Sequence, residues 1–129
     1  MKRRFEILFG VVIFLVLVSL MFTGKLDLNS EDWRKKARCK ARDRALEENI
    51  NGIVINSYRD VGKHNLKTVE FESLGKMKKS LILDFEVSGV YEELIPGDSI
   101  FKPKDQLNFY LIRNGNTREF MLDFDCDHP

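Results

Sequence analysis

The chain falls into three blocks that differ in the spacing of their apolar residues. An uncharged apolar run covers residues 7–24, a charged helical pattern covers 25–49, and strand-like alternation covers 50–126. A helix over 7–24 rises about 27 Å at ~1.5 Å per residue, which is close to the thickness of a hydrocarbon core. We therefore predict a transmembrane anchor over 7–24, with a cytoplasmic tip at 1–6 and a short tail at 127–129.

The alternative for the apolar run is a cleaved secretion signal. Cleavage requires small residues at the last and third-last positions before the cut. A cut after Gly24 places Phe22 at the third-last position, and a cut after Thr23 places Met21 there. We therefore favour a retained signal anchor. The basic residues at 2–4 favour a cytoplasmic N-terminus, which predicts a single-pass inner-membrane protein with a periplasmic C-terminal domain.

Residues 25–49 predict a short basic helix. Ser30 is a good N-cap, the next two residues are acidic, and neither glycine nor proline interrupts 31–48. One apolar stripe recurs every fourth residue: Trp33, Ala37, Ala41 and Ala45. The helix is either a solvated stalk between membrane and domain or a helix lying on the lipid surface. A mostly alanine stripe buries little area, which favours the stalk.

From Ile50 onward the apolar residues follow the period of two that is typical of strands. Residues 66–74 and 81–87 alternate apolar and polar side chains, and a hairpin-length loop joins them. The segment 95–98 has proline and glycine at the central positions of a type II turn. Asn114-Gly115 is a typical type I′ hairpin turn.

The hairpin turn predicts a strand register. It places Arg113 opposite Asn116 and Phe109 opposite Phe120, so that apolar residues of both strands share one face. Five or six short strands without a further helix predict a mainly β fold. We expect a small five- to six-stranded antiparallel barrel or sandwich of the OB or SH3-like type over 50–126, behind the two N-terminal helices.

Charge and composition restrict the function classes. The chain has 129 residues, 43% of them hydrophobic and 32% charged, which fits one ordered domain. Residues 1–49 carry 11 basic and 7 acidic residues, a net charge of +4, whereas residues 50–129 carry 10 and 13, a net charge of −3. A nucleic-acid-binding domain of this kind needs a basic groove, so we predict no nucleic-acid partner.

The C-terminus offers the only candidate metal ligands: Asp123, Asp125, Asp127 and His128. Carboxylates on one face of a strand could bind a hard cation. Inward-facing Leu122 and Phe124 explain the same alternation without any ligand. We therefore predict no metal site and no cofactor.

A serine and two lysines lie close together in the sequence at Ser99, Lys102 and Lys104. A Ser–Lys nucleophile could be built from such residues. The preceding turn explains the local composition without chemistry, so we predict no catalytic residue. His64 lies in the polar loop 59–65 and is expected to be solvated.

The two cysteines, Cys39 and Cys126, are too few for a disulfide scaffold. They could form a single disulfide if the domain lies outside the cytoplasm. Because 87 positions separate a residue of the basic helix from one near the end of the chain, the sequence leaves this pairing open.

Short motifs extend over most of 50–126. They are Gly52-x-Val54, Tyr58, Asp60, His64-Asn65, Lys67-Thr68, Gly97-Asp98-Ser99-Ile100-x-Lys102 and Phe120-x-Leu122-Asp123-Phe124-x-Cys126. Together with the apolar N-terminal run, they resemble small uncharacterised envelope proteins of Gram-negative bacteria, membrane-anchored or lipoprotein-like, with a short C-terminal β-domain. The resemblance implies no catalytic residue. Many such proteins are lipidated at a cysteine that this chain lacks.

These observations predict a non-enzymatic, membrane-anchored β-domain that binds an envelope protein or envelope component. An exposed sheet edge or the loop 59–65 could present the binding surface. The alternative is an accessory protein that binds a metal or small ligand through the Asp-rich C-terminal strand. A hydrolase built on Ser99 is the third hypothesis.

Overall fold

The computed structural model describes residues 2–22 and 30–127. Contacts divide the chain into two units, Met1–Asp32 and Trp33–Pro129. The first unit contains α1 (Lys2–Phe22), whose large apolar side chains between Ile7 and Leu20 are exposed around the helix. The second unit contains most of α2 (Ser30–Glu47) and all of the strands.

The N-terminal helix corrects the predicted location of the protein. Within the described ranges, no helix is long and apolar enough to cross a membrane. This finding contradicts the transmembrane anchor predicted over 7–24, and with it the single-pass inner-membrane location. Thr23 and Gly24 lie outside the described residues.

Six strands form one antiparallel sheet. They are β1 (Ile50–Asp60), β2 (Leu66–Ser73), β3 (Lys78–Ile82), β4 (Ser99–Lys102), β5 (Asn108–Arg113) and β6 (Asn116–Met121). Their order in the sheet is β3-β2-β1-β4-β5-β6, and every neighbouring pair is antiparallel. Since β3 and β6 are outer edges of the part of the chain described, the sheet is open. The six antiparallel strands behind two helices agree with the predicted strand number, but the predicted barrel or sandwich of the OB or SH3-like type is wrong.

The β5–β6 hairpin has the predicted register. The Asn114-Gly115 turn has positive φ at both residues, 52° and 78°, as a type I′ turn requires. Phe109 lies opposite Phe120 and Arg113 opposite Asn116. The prediction is confirmed here because turn chemistry and apolar spacing both specify the same pairing.

One face of the sheet carries the hydrophobic core. Its buried side chains are Ile50, Val54, Val69, Phe71, Leu81, Leu83, Ile100, Phe109, Leu111, Leu122 and Phe124, joined by Val90 and Leu94 around α3 (Val90–Glu93). Helix α2 adds buried Ala45, with Ala41 packed beside it. The sequence treated 25–49 as a stalk distinct from the β-domain, whereas α2 from Trp33 onward belongs to the same unit as the sheet.

The segment after β3 departs from the predicted strand over 81–87. The strand ends at Ile82, and Phe85 and Val87 are exposed while Glu86 is only 3% exposed. The Glu86 Oε1 atom accepts a hydrogen bond from the Ser88 N–H at 2.6 Å, and the Val87 N–H donates to the carbonyl of Asp123 at 2.8 Å. The chain turns inward here because it bonds to the C-terminal segment instead of continuing the sheet.

Candidate functional site

A groove of about 340 Å³ lies between α2 and β3. One face of α2 lines it through Ala37, Lys40, Ala41, Arg44, Ala45 and, just beyond the helix, Glu48. The opposite wall includes residues 80–85. Of the residues in this wall, 80–82 belong to β3 and 83–85 follow the strand.

The alanine stripe predicted from the sequence forms the helical wall of this groove. Ala37, Ala41 and Ala45 are three of its lining residues, and their methyl side chains are too short to fill the space beside the strand. Trp33, one turn before Ala37, continues the same stripe and is 70% exposed. The stripe thus packs on the core at Ala45 and Ala41, and its remaining surface borders the groove.

The strand wall presents unpaired backbone groups. The Leu83 N–H donates to the carbonyl of Lys67 at 2.9 Å. The backbone N–H and C=O groups of Leu83 and of every second residue before it therefore point toward β2. In an antiparallel ladder the backbone groups of the intervening residues point away from that neighbour. Ser80 and Ile82 therefore direct their N–H and C=O groups to the edge that no described strand occupies. Both residues also line the groove.

Charged side chains flank the groove. Neither Lys40 nor Arg44 makes an ion pair with any residue in the described part of the chain. Glu48 and Asp84 supply acidic groups to the lining. Burial raises the pKa of the Glu48 carboxyl above its usual value, and the charges of Lys102 and Arg44 partly oppose that shift.

The opposite side of α2 is closed by links to the C-terminal segment. These links are the Cys39–Cys126 disulfide with Cα atoms 4.9 Å apart, the Arg38–Asp125 ion pair at 2.9 Å and the Arg42–Asp127 ion pair at 3.0 Å. The sequence had left the cysteine pairing open; in the structure it joins α2 directly to the end of the sheet. The basic residues of α2 therefore have two different environments.

The aspartates considered as metal ligands do not converge. Asp125 and Asp127 pair with arginines of α2, and Asp123 Oδ1 accepts a hydrogen bond from the Asp125 N–H at 2.8 Å. Among the described residues, no group of three or more His, Cys, Asp or Glu side chains could hold a metal ion. His128, the fourth candidate, lies outside the described residues.

Lys102, considered above as part of a Ser–Lys pair, is a buried structural residue. It has no exposed surface, and its Nζ atom donates to the carbonyls of Glu48 at 2.8 Å and Pro103 at 3.1 Å. Burial lowers the pKa of its ammonium group. Ser99 lies three positions away on β4 and therefore points to the other face of the sheet. Ser99 and Lys102 therefore do not pair, and Lys102 instead binds the chain at the end of α2.

A second buried charge, which the sequence did not reveal, lies at the far end of the sheet. Asp98 is 2% exposed and accepts two hydrogen bonds from Arg113, at 2.7 and 2.8 Å, and one from the Ile95 N–H at 2.9 Å. The Arg113 guanidinium lowers the pKa of the Asp98 carboxyl. Gly97 has φ of 95°, as the predicted type II turn requires. This cluster fixes the turn to the hairpin.

The loop 59–65 forms a tight connection between β1 and β2. It contains a single 3-10 turn, Val61–Lys63, and the Asp60 side chain accepts a hydrogen bond from the Gly62 N–H at 3.1 Å. His64 follows with a left-handed backbone, φ 56°. The loop presents exposed Val61 but forms no cavity among those described.

A comparison with protein-family models, curated proteins and solved structures finds no match to this chain. The resemblance to envelope proteins of Gram-negative bacteria therefore stays a prediction.

Proposed function

We propose that this protein is a non-catalytic interaction module that binds an extended segment of a partner protein along the free edge of β3. The bound segment adds a strand to the sheet and lies in the groove beside α2. Main-chain hydrogen bonds provide affinity in this mode of recognition, and the groove contacts alternate side chains of the partner.

The observation that carries the proposal is the coincidence of an open strand edge with a groove. Ser80 and Ile82 direct unpaired backbone groups outward, and both line a groove of about 340 Å³. A volume of this size is sufficient for side chains of a peptide. An edge strand without such a neighbouring wall offers hydrogen bonds but little selectivity.

The other candidate sites support this choice by their geometry. Ser99 and Lys102 lie on opposite faces of β4, and the aspartates near the C-terminus bond to α2 or to the local backbone. Each of these groups has a structural role, whereas the groove residues Lys40 and Arg44 make no ion pair within the described chain. The proposal therefore includes neither hydrolysis nor metal binding.

The test uses the intact chain with its disulfide and a random twelve-residue peptide library displayed on phage. Peptides that are selected should slow hydrogen exchange at the amides of Ser80 and Ile82 when they bind. The variant Ser80→Pro removes one outward N–H but no bond to β2, since this N–H faces away from the sheet. We expect Ser80→Pro to weaken peptide binding at least tenfold, about 1.4 kcal/mol.

Ser80→Ala is the matched control because it removes the side chain but keeps the N–H. It should bind selected peptides like the unmodified chain. Ala41→Leu should also reduce binding, since the larger side chain fills the groove. Slower hydrogen exchange at amides elsewhere in the sheet, instead of at Ser80 and Ile82, would refute binding at the β3 edge. Equal peptide affinity of Ser80→Pro and Ser80→Ala would refute it as well.

A further inference from the structure

The charges around the β3 edge point to the chemistry of the bound segment. This inference rests on the function proposed above. We infer that the partner segment is acidic, with carboxylates at alternate positions that face Lys40 and Arg44 of α2. The second copy of this chain and a neutral peptide are the other occupants that the test below must distinguish.

The two basic residues differ from the other basic residues nearby on α2. Arg38 and Arg42 pair with carboxylates of the C-terminal segment at 2.9 and 3.0 Å. Lys40 and Arg44 line the groove and have no ion-pair partner among the described residues. A partner carboxylate could therefore form the close ion pair that Lys40 and Arg44 lack within the fold, where Arg44 has only the longer-range attraction of Glu48.

The spacing of the two cations matches that of an extended chain. Lys40 and Arg44 are four residues apart on one helix face, a rise of about 6 Å. Side chains that share a face of a strand are two residues apart, about 6.6–6.8 Å. The two spacings are similar, so carboxylates at positions i and i+2 of a strand added beside α2 can each approach one cation.

The strand itself adds positive charge to this edge. Lys78 and Lys79 are exposed residues of β3, and Lys76 is exposed just before it. Glu48 and Asp84 are the acidic groups of the lining. The neighbouring strand β2 places Glu70 and Glu72 opposite Ser80 and Lys78. Five basic and four acidic groups therefore border the groove and its strand, and this small excess of positive charge favours an acidic segment.

The same lysines oppose pairing between two copies of this chain. Two β3 edges brought together would place exposed lysines from both copies near one another. Lysine on an edge strand is a common means of preventing association between sheets. The edge therefore discriminates between its own copy and an acidic segment by the sign of the charge.

Three ten-residue peptides test this inference on the intact chain. They alternate valine with glutamate, with glutamine or with lysine, and Trp33, the single tryptophan, reports binding through its fluorescence. We expect the glutamate peptide to bind at least tenfold more tightly than the glutamine peptide at low salt, and increasing salt should reduce this preference.

The double variant Lys40→Glu/Arg44→Glu reverses the charge of the groove wall. Its affinity for the glutamate peptide should fall at least tenfold, and it should bind the lysine peptide more tightly than the glutamate peptide. Arg34→Glu/Lys35→Glu is the matched control, because these exposed residues of the same helix do not line the groove. The control should change affinity for the glutamate peptide by less than about threefold, through long-range charge alone.

The outcomes separate this inference from the proposed function. Equal binding of glutamate and glutamine peptides, with both lost in Ser80→Pro, would retain strand addition and overturn the acidic preference. Glutamate-peptide binding that depends on Lys40 and Arg44 but is unchanged in Ser80→Pro would overturn strand addition. A dimer in sedimentation that Ser80→Pro dissociates would show that a second copy occupies the edge, and would overturn the inference.

Discussion

The two sides of α2 differ in how they meet the sheet. On one side, a disulfide and two ion pairs join the helix to the C-terminal segment. On the other, alanines face an open groove, and the two cations there make no ion pair within the described chain. One side of this 18-residue helix therefore holds the fold together, and the other side is open to a binding partner.

The difference shows how a small domain can keep a groove open. Alanine side chains bury too little area to hold a helix against a sheet by themselves. Attachment from the opposite side supplies the stability that a filled interface would otherwise provide. The groove can therefore stay open only because the other side of α2 is attached. Variants on the attached side should mainly reduce stability, and variants on the groove side should mainly reduce binding.

Removal of the disulfide should have the largest effect. The variant Cys39→Ser/Cys126→Ser opens a loop closed across 87 positions, and we expect a loss of about 3–4 kcal/mol in the free energy of unfolding. Because α2 then loses its covalent link to the C-terminal segment, peptide binding at the groove should weaken as well. Urea unfolding and Trp33 fluorescence titration measure the two effects.

Reduction of the unmodified chain by dithiothreitol should reproduce the stability of the double serine variant. The variant itself should not respond to the reductant. Unchanged peptide affinity in a folded, reduced chain would show that the groove does not depend on the closed side of α2.

A destabilising change far from α2 provides the next comparison. Asp98→Asn weakens the pair with Arg113, and we expect a loss of about 2–3 kcal/mol because the charge is buried. Peptide binding by the folded fraction should stay unchanged. A loss of binding equal to that of the double serine variant would mean that general destabilisation, not release of α2, explains both.

The effect of Asp98→Asn should depend on pH. The pKa of Asp98 is lowered in the folded state by Arg113, so its contribution is present above the unfolded value of ~3.9 and disappears as pH falls through the folded value. The difference in stability between the unmodified chain and Asp98→Asn should therefore be full at pH 7 and shrink below pH ~4. Urea unfolding at pH 7, 4 and 2.5 measures this.

The sequence predicts those elements in which local chemistry and apolar spacing agree. The hairpin at Asn114-Gly115 and the turn at 95–98 are of this kind, since each needs particular residues with positive φ. The strand over 81–87 was wrong because alternation alone could not show that Glu86 points inward to bond Ser88. Which strand lies at the edge of the sheet, and whether the sheet closes into a barrel, depend on pairing between strands that are distant in sequence.

The candidate site was only partly accessible from the sequence. The alanine stripe of α2 was visible, but which wall faced it depended on contacts between α2 and β3 that are distant in sequence. The buried positions of Asp98 and Lys102 were also hidden, because charged residues are expected at the surface. Lys102 follows Ile100 by two residues, so both side chains lie on the same face of β4. This spacing could have placed the lysine on the core face.

Replacement of Lys102 tests how the end of α2 is held. Lys102→Met keeps the length of the side chain but leaves the carbonyls of Glu48 and Pro103 without their donor, and we expect a loss of about 1–2 kcal/mol at neutral pH. Burial lowers the pKa of Lys102 in the fold. The unfolded chain therefore binds more protons between the folded value and ~10.4, so the advantage of lysine over methionine should increase with pH across that interval.

Loss of a single ion pair on the closed side should have the smallest effect. The side chains of Arg42 and Asp127 are 29% and 83% exposed, so water and salt screen their attraction. Arg42→Ala should therefore lower the free energy of unfolding only slightly at low salt and almost not at all at high salt, with peptide binding unchanged. Urea unfolding at two ionic strengths measures this. A loss comparable to that of the double serine variant would mean that charge pairs, and not the disulfide, hold α2 in place.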